Sequence, residues 1–337
     1  MYQSFYGFKL KPFQLKPDPN FFFGSKGHKR AMAYLEYGLS QGEGFIVITG
    51  EVGAGKTTLV RNLFRELAGE KIAAAQIVNS SLDSDDMLRL VAAAFGLPHE
   101  DASKASVLIR LEQFLRQCEQ QGKRTLLVVD EAQNLSPSTV EELRMLSNFQ
   151  TEDKPLLQTF LLGQPEFRKT LLSSGMQQLR QRVTATYHLG PMDLAETRAY
   201  IEHRLHTAGW RGDPSFGEDA FESIFEYSSG IPRKINGLCD RLLLMGCLEN
   251  LHHFTSAEVN DVIRDVQQEF DMPGELADGS RGAEPKNGEE GENTADSLKN
   301  LNDRLATLET SFTSLLTLLK QILSLAGVNK NLRKDKV

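Results

Sequence analysis

From Phe45 to about Leu189, short apolar runs alternate with stretches of helical spacing. FIVIT (Phe45 to Thr49), AAAQIVN (Ala73 to Asn79), TLLVVD (Thr125 to Asp130), LLQTFLLG (Leu156 to Gly163) and ATYHL (Ala185 to Leu189) have the length of strands. Thr57 to Leu67, Asp85 to Phe95, Ser106 to Gln120 and Ser138 to Phe149 lie between them and read as helices. Runs that are apolar throughout, rather than alternating, mark strands covered on both faces. The order therefore predicts a doubly wound α/β domain over residues 25–190, built on a five-stranded parallel sheet.

After Gly190-Pro191 the strand-like runs stop. Residues 191–270 read as a small all-helical domain, with Asp193 and either Asp213 or Ser215 as helix N-caps and Thr255-Ser256 opening the last helix. Residues 1–24 form an aromatic- and proline-rich segment ahead of the sheet. At the other end, residues 271–296 are acidic and poor in large apolar groups, the composition of a disordered linker. Heptad spacing then runs through Leu298, Leu301, Leu305, Leu308, Phe312, Leu315, Leu319 and Ile322, predicting a coiled-coil or amphipathic helix over 297–327 before a basic tail, 328–337. The seam suits self-association, or docking on the chain's own globular part. Leu316, Leu318, Leu323 and Leu325 widen the apolar face enough for another protein or a membrane surface.

Composition narrows the class. With 337 residues, 40% hydrophobic and 25% charged, the chain has the make-up of a soluble globular protein with ample core. It lacks an apolar run of the ~18 residues that read as a membrane span, and MYQSFYGFKLKPF has no signal-peptide core. A cytoplasmic protein without an integral membrane segment is expected. Cys118, Cys239 and Cys247 show no paired spacing, which argues against a disulfide framework or a zinc site. A net charge of −7 gives no general attraction to nucleic acid, although a local basic patch stays open.

The chemistry is concentrated in two places. Gly50-Glu51-Val52-Gly53-Ala54-Gly55-Lys56-Thr57, followed by Thr58, matches the phosphate-binding loop and sits between a predicted strand and a predicted helix, as that motif requires. Its amides and the helix N-terminus suit the phosphates of ATP, with Lys56 on the β- and γ-phosphates, Thr57 on Mg²⁺ and Thr58 near the α-phosphate. The second place is the end of TLLVV, too apolar for an edge strand, where Asp130 is the expected metal-side carboxylate and Glu131 the group that polarises water. A P-loop NTPase that hydrolyses ATP is the prediction.

Together these residues resemble the AAA+ family from about Phe21 to Phe270. Asp130-Glu131-Ala132-Gln133-Asn134-Leu135, then Leu143-Arg144-Met145-Leu146-Ser147-Asn148-Phe149, looks like the general secretion pathway protein A group, as does the opening MYQSFYGFKLKPFQLKPDPNFFFGSKGHKRAMAYLEYGL. Within that group the wording is similar to the shorter branch associated with exosortase (PEP-CTERM) sorting and exopolysaccharide export. The resemblance implies a helical lid over residues 191–270. It makes Gln164 a γ-phosphate sensor, Arg180 or Arg182 an arginine finger acting on a neighbouring subunit, and Arg233 in Gly230-Ile231-Pro232-Arg233 a second sensor. It further implies a homo-oligomer serving envelope-export or polysaccharide-assembly proteins as motor or switch, held at the inner membrane, if at all, through a partner. Relatives often continue into a membrane helix and a cell-wall-binding domain. This chain departs from that pattern, so direct peptidoglycan binding is not expected. A DNA-associated ATPase of the replication or transposition type is the alternative, but the acidic linker stands where its basic helix-turn-helix would be.

Overall fold

The computed structural model describes residues 1–78, 84–100, 102–152 and 154–271. The expected acidic linker, heptad helix and basic tail fall beyond residue 271, outside the described residues.

The five apolar runs become five strands: β1 (Phe45–Gly50), β2 (Ile72–Ile77), β3 (Arg124–Val129), β4 (Gln158–Gly163) and β5 (Val183–Leu189). All pairings are parallel and the order across the sheet is β2-β3-β4-β1-β5. Burial follows position: β1 and β4 are buried at every residue, and β3 at all but Arg124, whereas the edge strands β2 and β5 are only partly covered.

Ahead of the sheet come α1 (Tyr2–Phe5) and α2 (Lys26–Gln41). Around it lie α3 (Lys56–Leu67), α4 (Ser84–Ala94), α5 (Lys104–Gln120), α6 (Pro137–Leu146), α7 (Pro165–Leu172) and the single turn α8 (Gln177–Arg180). Side chains of a strand alternate between faces, and β3 shows the result. Leu127 and Val129 enter one core with Leu88, Leu111 and Leu143, while Leu126 and Val128 enter the other with Leu35, Leu59 and Leu63. Each such fully buried leucine contributes about 2 kcal/mol. Helix starts are written in the sequence: the hydroxyls of Ser25, Ser103 and Ser136 accept the backbone N–H of His28, Ser106 and Thr139 at the heads of α2, α5 and α6.

The lid comprises α9 (Leu194–Thr207), α10 (Glu218–Ser228), α11 (Pro232–Glu249) and α12 (Ser256–Asp271). Asp193 caps α9 in a reciprocal capping box with Glu196, as its position predicts. The second expected cap is corrected. Neither Asp213 nor Ser215 caps α10; Gly217 precedes it without a side-chain cap. Ser215 is instead drawn into a two-residue strand, β6 (Ser215–Phe216), paired in parallel with β7 (His253–Phe254), and Asp213 accepts from His252 Nδ1 at 2.7 Å. The lid is thus mostly rather than wholly helical.

The N-terminal segment fills the lid. Tyr2, Tyr6, Phe8, Phe13 and Phe21 share one buried cluster with Ile201, Phe221, Leu238, Leu242 and Phe254. The Tyr6 hydroxyl donates to the Leu251 carbonyl at 2.9 Å, and Arg204 Nε donates to the Pro12 carbonyl at 2.7 Å. From the α/β side, Arg61 and Arg65 on α3 donate to the carbonyls of Pro17 and Pro19 at 2.6 and 3.1 Å. Arginines of both parts therefore hold one stretch of backbone.

Candidate nucleotide-binding site

The loop after β1 is shaped by glycines. Gly53 and Gly55 have φ of +83° and +99°, a region that side chains disfavour. A Cβ on Gly53 would stand 2.3 Å from Arg233 Cβ, and one on Gly55 2.7 Å from His28 Nε2. A Cβ on Gly50 would meet the Leu189 carbonyl oxygen at 2.7 Å. The backbone can curl and still be approached from three sides only because these Cβ atoms are missing.

Lys56 opens α3 from within that curl. It is buried, and its Nζ donates to the carbonyls of Gly50 and Glu51 at 2.6 and 3.0 Å. Burial pushes its ammonium below the usual lysine range, with Glu131, Asp130 and Glu51 opposing the shift. Next to it, Thr57 Oγ1 donates to Asp130 Oδ2 at 2.8 Å, joining the phosphate loop to the end of β3. Asp130 is buried, which pushes its carboxyl above the usual carboxylate range; the bonds from Thr57 and from the Glu131 N–H, at 3.0 Å, pull the other way.

Glu131 follows in a left-handed conformation, φ 56°, which costs a residue with a Cβ about 1–3 kcal/mol. The turn swings its side chain away from the strand and toward the cavity above the loop. That cavity, about 290 Å³, is lined among others by Lys56, Thr57, Glu131, Tyr200, Arg204 and Arg233. It lies between sheet and lid, where a ligand crevice is expected at the carboxyl ends of parallel strands.

Residues 39–171 match the family model described as AAA domain. Over that stretch the chain has a P-loop AAA fold. Over 261 residues it is 39% identical to the general secretion pathway protein A of Aeromonas hydrophila, an alignment that takes in 77% of this chain. The chain spans 47% of that protein's length. Among solved structures it is similar to the Aeropyrum pernix ORC2 protein in its ADPNP–ADP complexes, with a TM-score of 0.58 and 18% identity over 76% of this chain and 71% of that one. It is also similar to Cdc6p from Pyrobaculum aerophilum, with a TM-score of 0.57 and 16% identity over 76% and 70% of the two chains. At such identities these likenesses establish the fold, a P-loop AAA sheet with helices.

The residues at this corner fit the groups that the fold implies. The loop offers the curled amides and buried ammonium that phosphates require, and Thr57 with Asp130 offers two hard oxygen donors already in contact, the chemistry that Mg²⁺ selects. The sequence-predicted residues divide in two. Gly50 to Thr58, Asp130 and Glu131 converge; Gln164, at the end of β4, brings its Nε2 to 3.4 Å from Glu131 Oε2. Arg233 reaches the loop from the lid, its backbone N–H donating to the Gly53 carbonyl at 3.2 Å. Arg180 and Arg182 are not brought to the cavity. Arg180 Nη1 donates to the Leu172 carbonyl at 2.8 Å, and Arg182 Nη1 to Ser147 Oγ at 2.9 Å.

Sequence reasoning missed four residues at this corner. His28 is buried behind the loop, its Nδ1 2.7 Å from Ser25 Oγ, and burial pushes its ring down to about 4. Tyr200 and Arg204 form the lid wall, with the Arg204 guanidinium 4.9 Å from the Phe21 ring centre. Gln133 links the ends of β3 and β4. None lies in a recognisable motif except Gln133, whose place beside Asp130-Glu131 was the available signal.

Proposed function

We propose that this chain hydrolyses ATP at the corner where the phosphate loop meets the end of β3. The supporting observation is the contact between Thr57 and Asp130, which places a metal-side hydroxyl and carboxylate together with Glu131 immediately beyond them. Bound Mg²⁺ would neutralise charge on the phosphates. The rest falls to the chain's own groups. Gly53 to Thr58 bind and orient the triphosphate, Lys56 exchanges its carbonyl partners for phosphate oxygens, Glu131 takes a proton from the attacking water, and Gln164 reports on the γ-phosphate.

Because Arg233 and Gly53 touch, a change in the loop is felt by the lid. That coupling suits a motor or switch, and the likeness to general secretion pathway protein A points its use toward envelope export. The finer reading, the exosortase-associated branch with a polysaccharide- or protein-sorting partner, rests on the wording of the N-terminal segment. It includes a homo-oligomer in which Arg180 or Arg182 serves a neighbouring site and the heptads of 297–327 hold subunits together. No helix among the described residues is long and apolar enough to cross a membrane, so inner-membrane attachment is proposed through a partner.

The test is phosphate release by the full chain with Mg-ATP, over a dilution series, beside Glu131→Gln. Turnover should fall roughly 100-fold or more in the variant while ATP still binds. Specific activity should rise with protein concentration if an arginine acts in trans. Equal turnover in the two proteins removes Glu131 from the chemistry, and concentration-independent activity removes the trans arginine.

A further inference from the structure

Glu131 stands on an irregular turn, and a base on such a turn needs something to aim it. The single 3₁₀ turn Ala132–Asn134 places Gln133 two residues further on, partly buried between the ends of β3 and β4. Its amide works in both directions. Gln133 Oε1 accepts the backbone N–H of Gln164 at 2.9 Å, and Gln133 Nε2 donates to Glu131 Oε2. The first bond decides the second: with its oxygen committed to a main-chain donor on β4, the amide can turn only its NH₂ toward the carboxylate. The direct contact from Gln164 Nε2 to the same carboxylate oxygen is longer, at 3.4 Å, and correspondingly weak.

We infer that Gln133 is the positioning residue of the water-activating carboxylate, an amide relay that sets the plane of the Glu131 carboxyl group from the end of β4. The inference rests on the ATP-hydrolysis reading and adds to it. It also gives the candidate sensor a route to the base. The backbone N–H of Gln164 anchors Gln133, so a displacement of Gln164 by the γ-phosphate is passed through one amide to Glu131. The residue type is demanding. Asparagine is one methylene short of spanning both partners, and glutamate would face Glu131 with an oxygen and a like charge.

The experiment compares the full chain with Gln133→Ala, the near-isosteric Gln133→Glu, Glu131→Gln and the double variant Glu131→Gln/Gln133→Ala. Phosphate release is measured alongside calorimetric titration with a slowly hydrolysed ATP analogue. A positioning role predicts nucleotide affinity within about twofold of the unaltered chain and a kcat lowered roughly 10- to 100-fold, more in Gln133→Glu than in Gln133→Ala. In the double variant the loss should be no greater than in Glu131→Gln alone, because a relay without its base has nothing to aim. A merely structural Gln133 would instead lower both backgrounds by the same factor. An additive cycle, or full kcat in Gln133→Glu, overturns the inference while leaving hydrolysis by Glu131 intact. Absence of phosphate release from the unaltered chain overturns both.

Discussion

The phosphate-loop corner and the lid corner face each other across one cavity, yet they are built by different means. The first is made of backbone shape: left-handed glycines, a strand that stops at Asp130, and a few short polar contacts such as Thr57 to Asp130 across 73 residues of sequence. The second is made of volume and reach. Aromatic rings from residues 2–21 fill a core whose other half lies more than 170 residues downstream, and Arg204 crosses 192 residues to the Pro12 carbonyl. Damage to the first corner should therefore show as lost rate or affinity with the fold intact. Damage to the second should show as lost stability.

Arg204→Met tests the contrast most severely. The change keeps a long apolar stem over Phe21 but removes the donors to Pro12, Gln14 and the Tyr200 hydroxyl, leaving the first and last of these acceptors buried without that donor. A loss of about 3 kcal/mol is expected, lowering the melting temperature by roughly 6–10 °C. An unchanged melting curve would mean that aromatic packing alone holds the segment. Gly53→Ala attacks the joint between the corners: its methyl group would stand against Arg233 in a backbone conformation that alanine disfavours. Nucleotide affinity should fall on the order of tenfold, with a smaller change in melting temperature than for Arg204→Met. If affinity is kept, the lid does not need its seat on the loop.

The smallest expected effect is on pH. His28 is held near 4 in the folded chain, against an ordinary value near 6.5, so between those values the unfolded chain binds more protons. The stability that the neutral ring contributes is complete above about pH 6.5 and is lost as pH falls toward 4, about 1 kcal/mol between pH 7 and 5.5. Denaturant melts at several pH values should show that slope, flattened in His28→Gln. His203, pushed down by burial on the lid side, supplies a residual slope of the same sign.

The two corners were also unequally legible. The five strands, the loop and Asp130-Glu131 follow from local patterns, because a five-strand parallel sheet needs apolar runs and a phosphate loop needs glycines at fixed places. The lid's helical character and the Asp193 cap were readable for the same reason. The role of the N-terminal segment was not: nothing within residues 1–24 says that their rings belong to a core completed after residue 200. Asp213 and Ser215 misled in a related way. Both are good caps by type, but Ser215 is drawn into a parallel pair with His253, and Asp213 is taken up by His252, pairings that no local rule foresees. Gln133 lay in plain view, yet its partner is the backbone of β4, and backbone partners leave no mark on residue type.

The N-terminal rings also have a timetable. Tyr6 leaves the ribosome well before its partner, for the carbonyl it binds belongs to Leu251, 245 residues later. At ordinary translation speeds of about 5–20 residues per second, roughly 10–50 s separate the two. Throughout that interval the nascent protein trails an unsheltered string of phenylalanines and tyrosines while its nucleotide fold is already being assembled behind it. Of the two halves of this core, the one translated earlier is the one that must wait for the other.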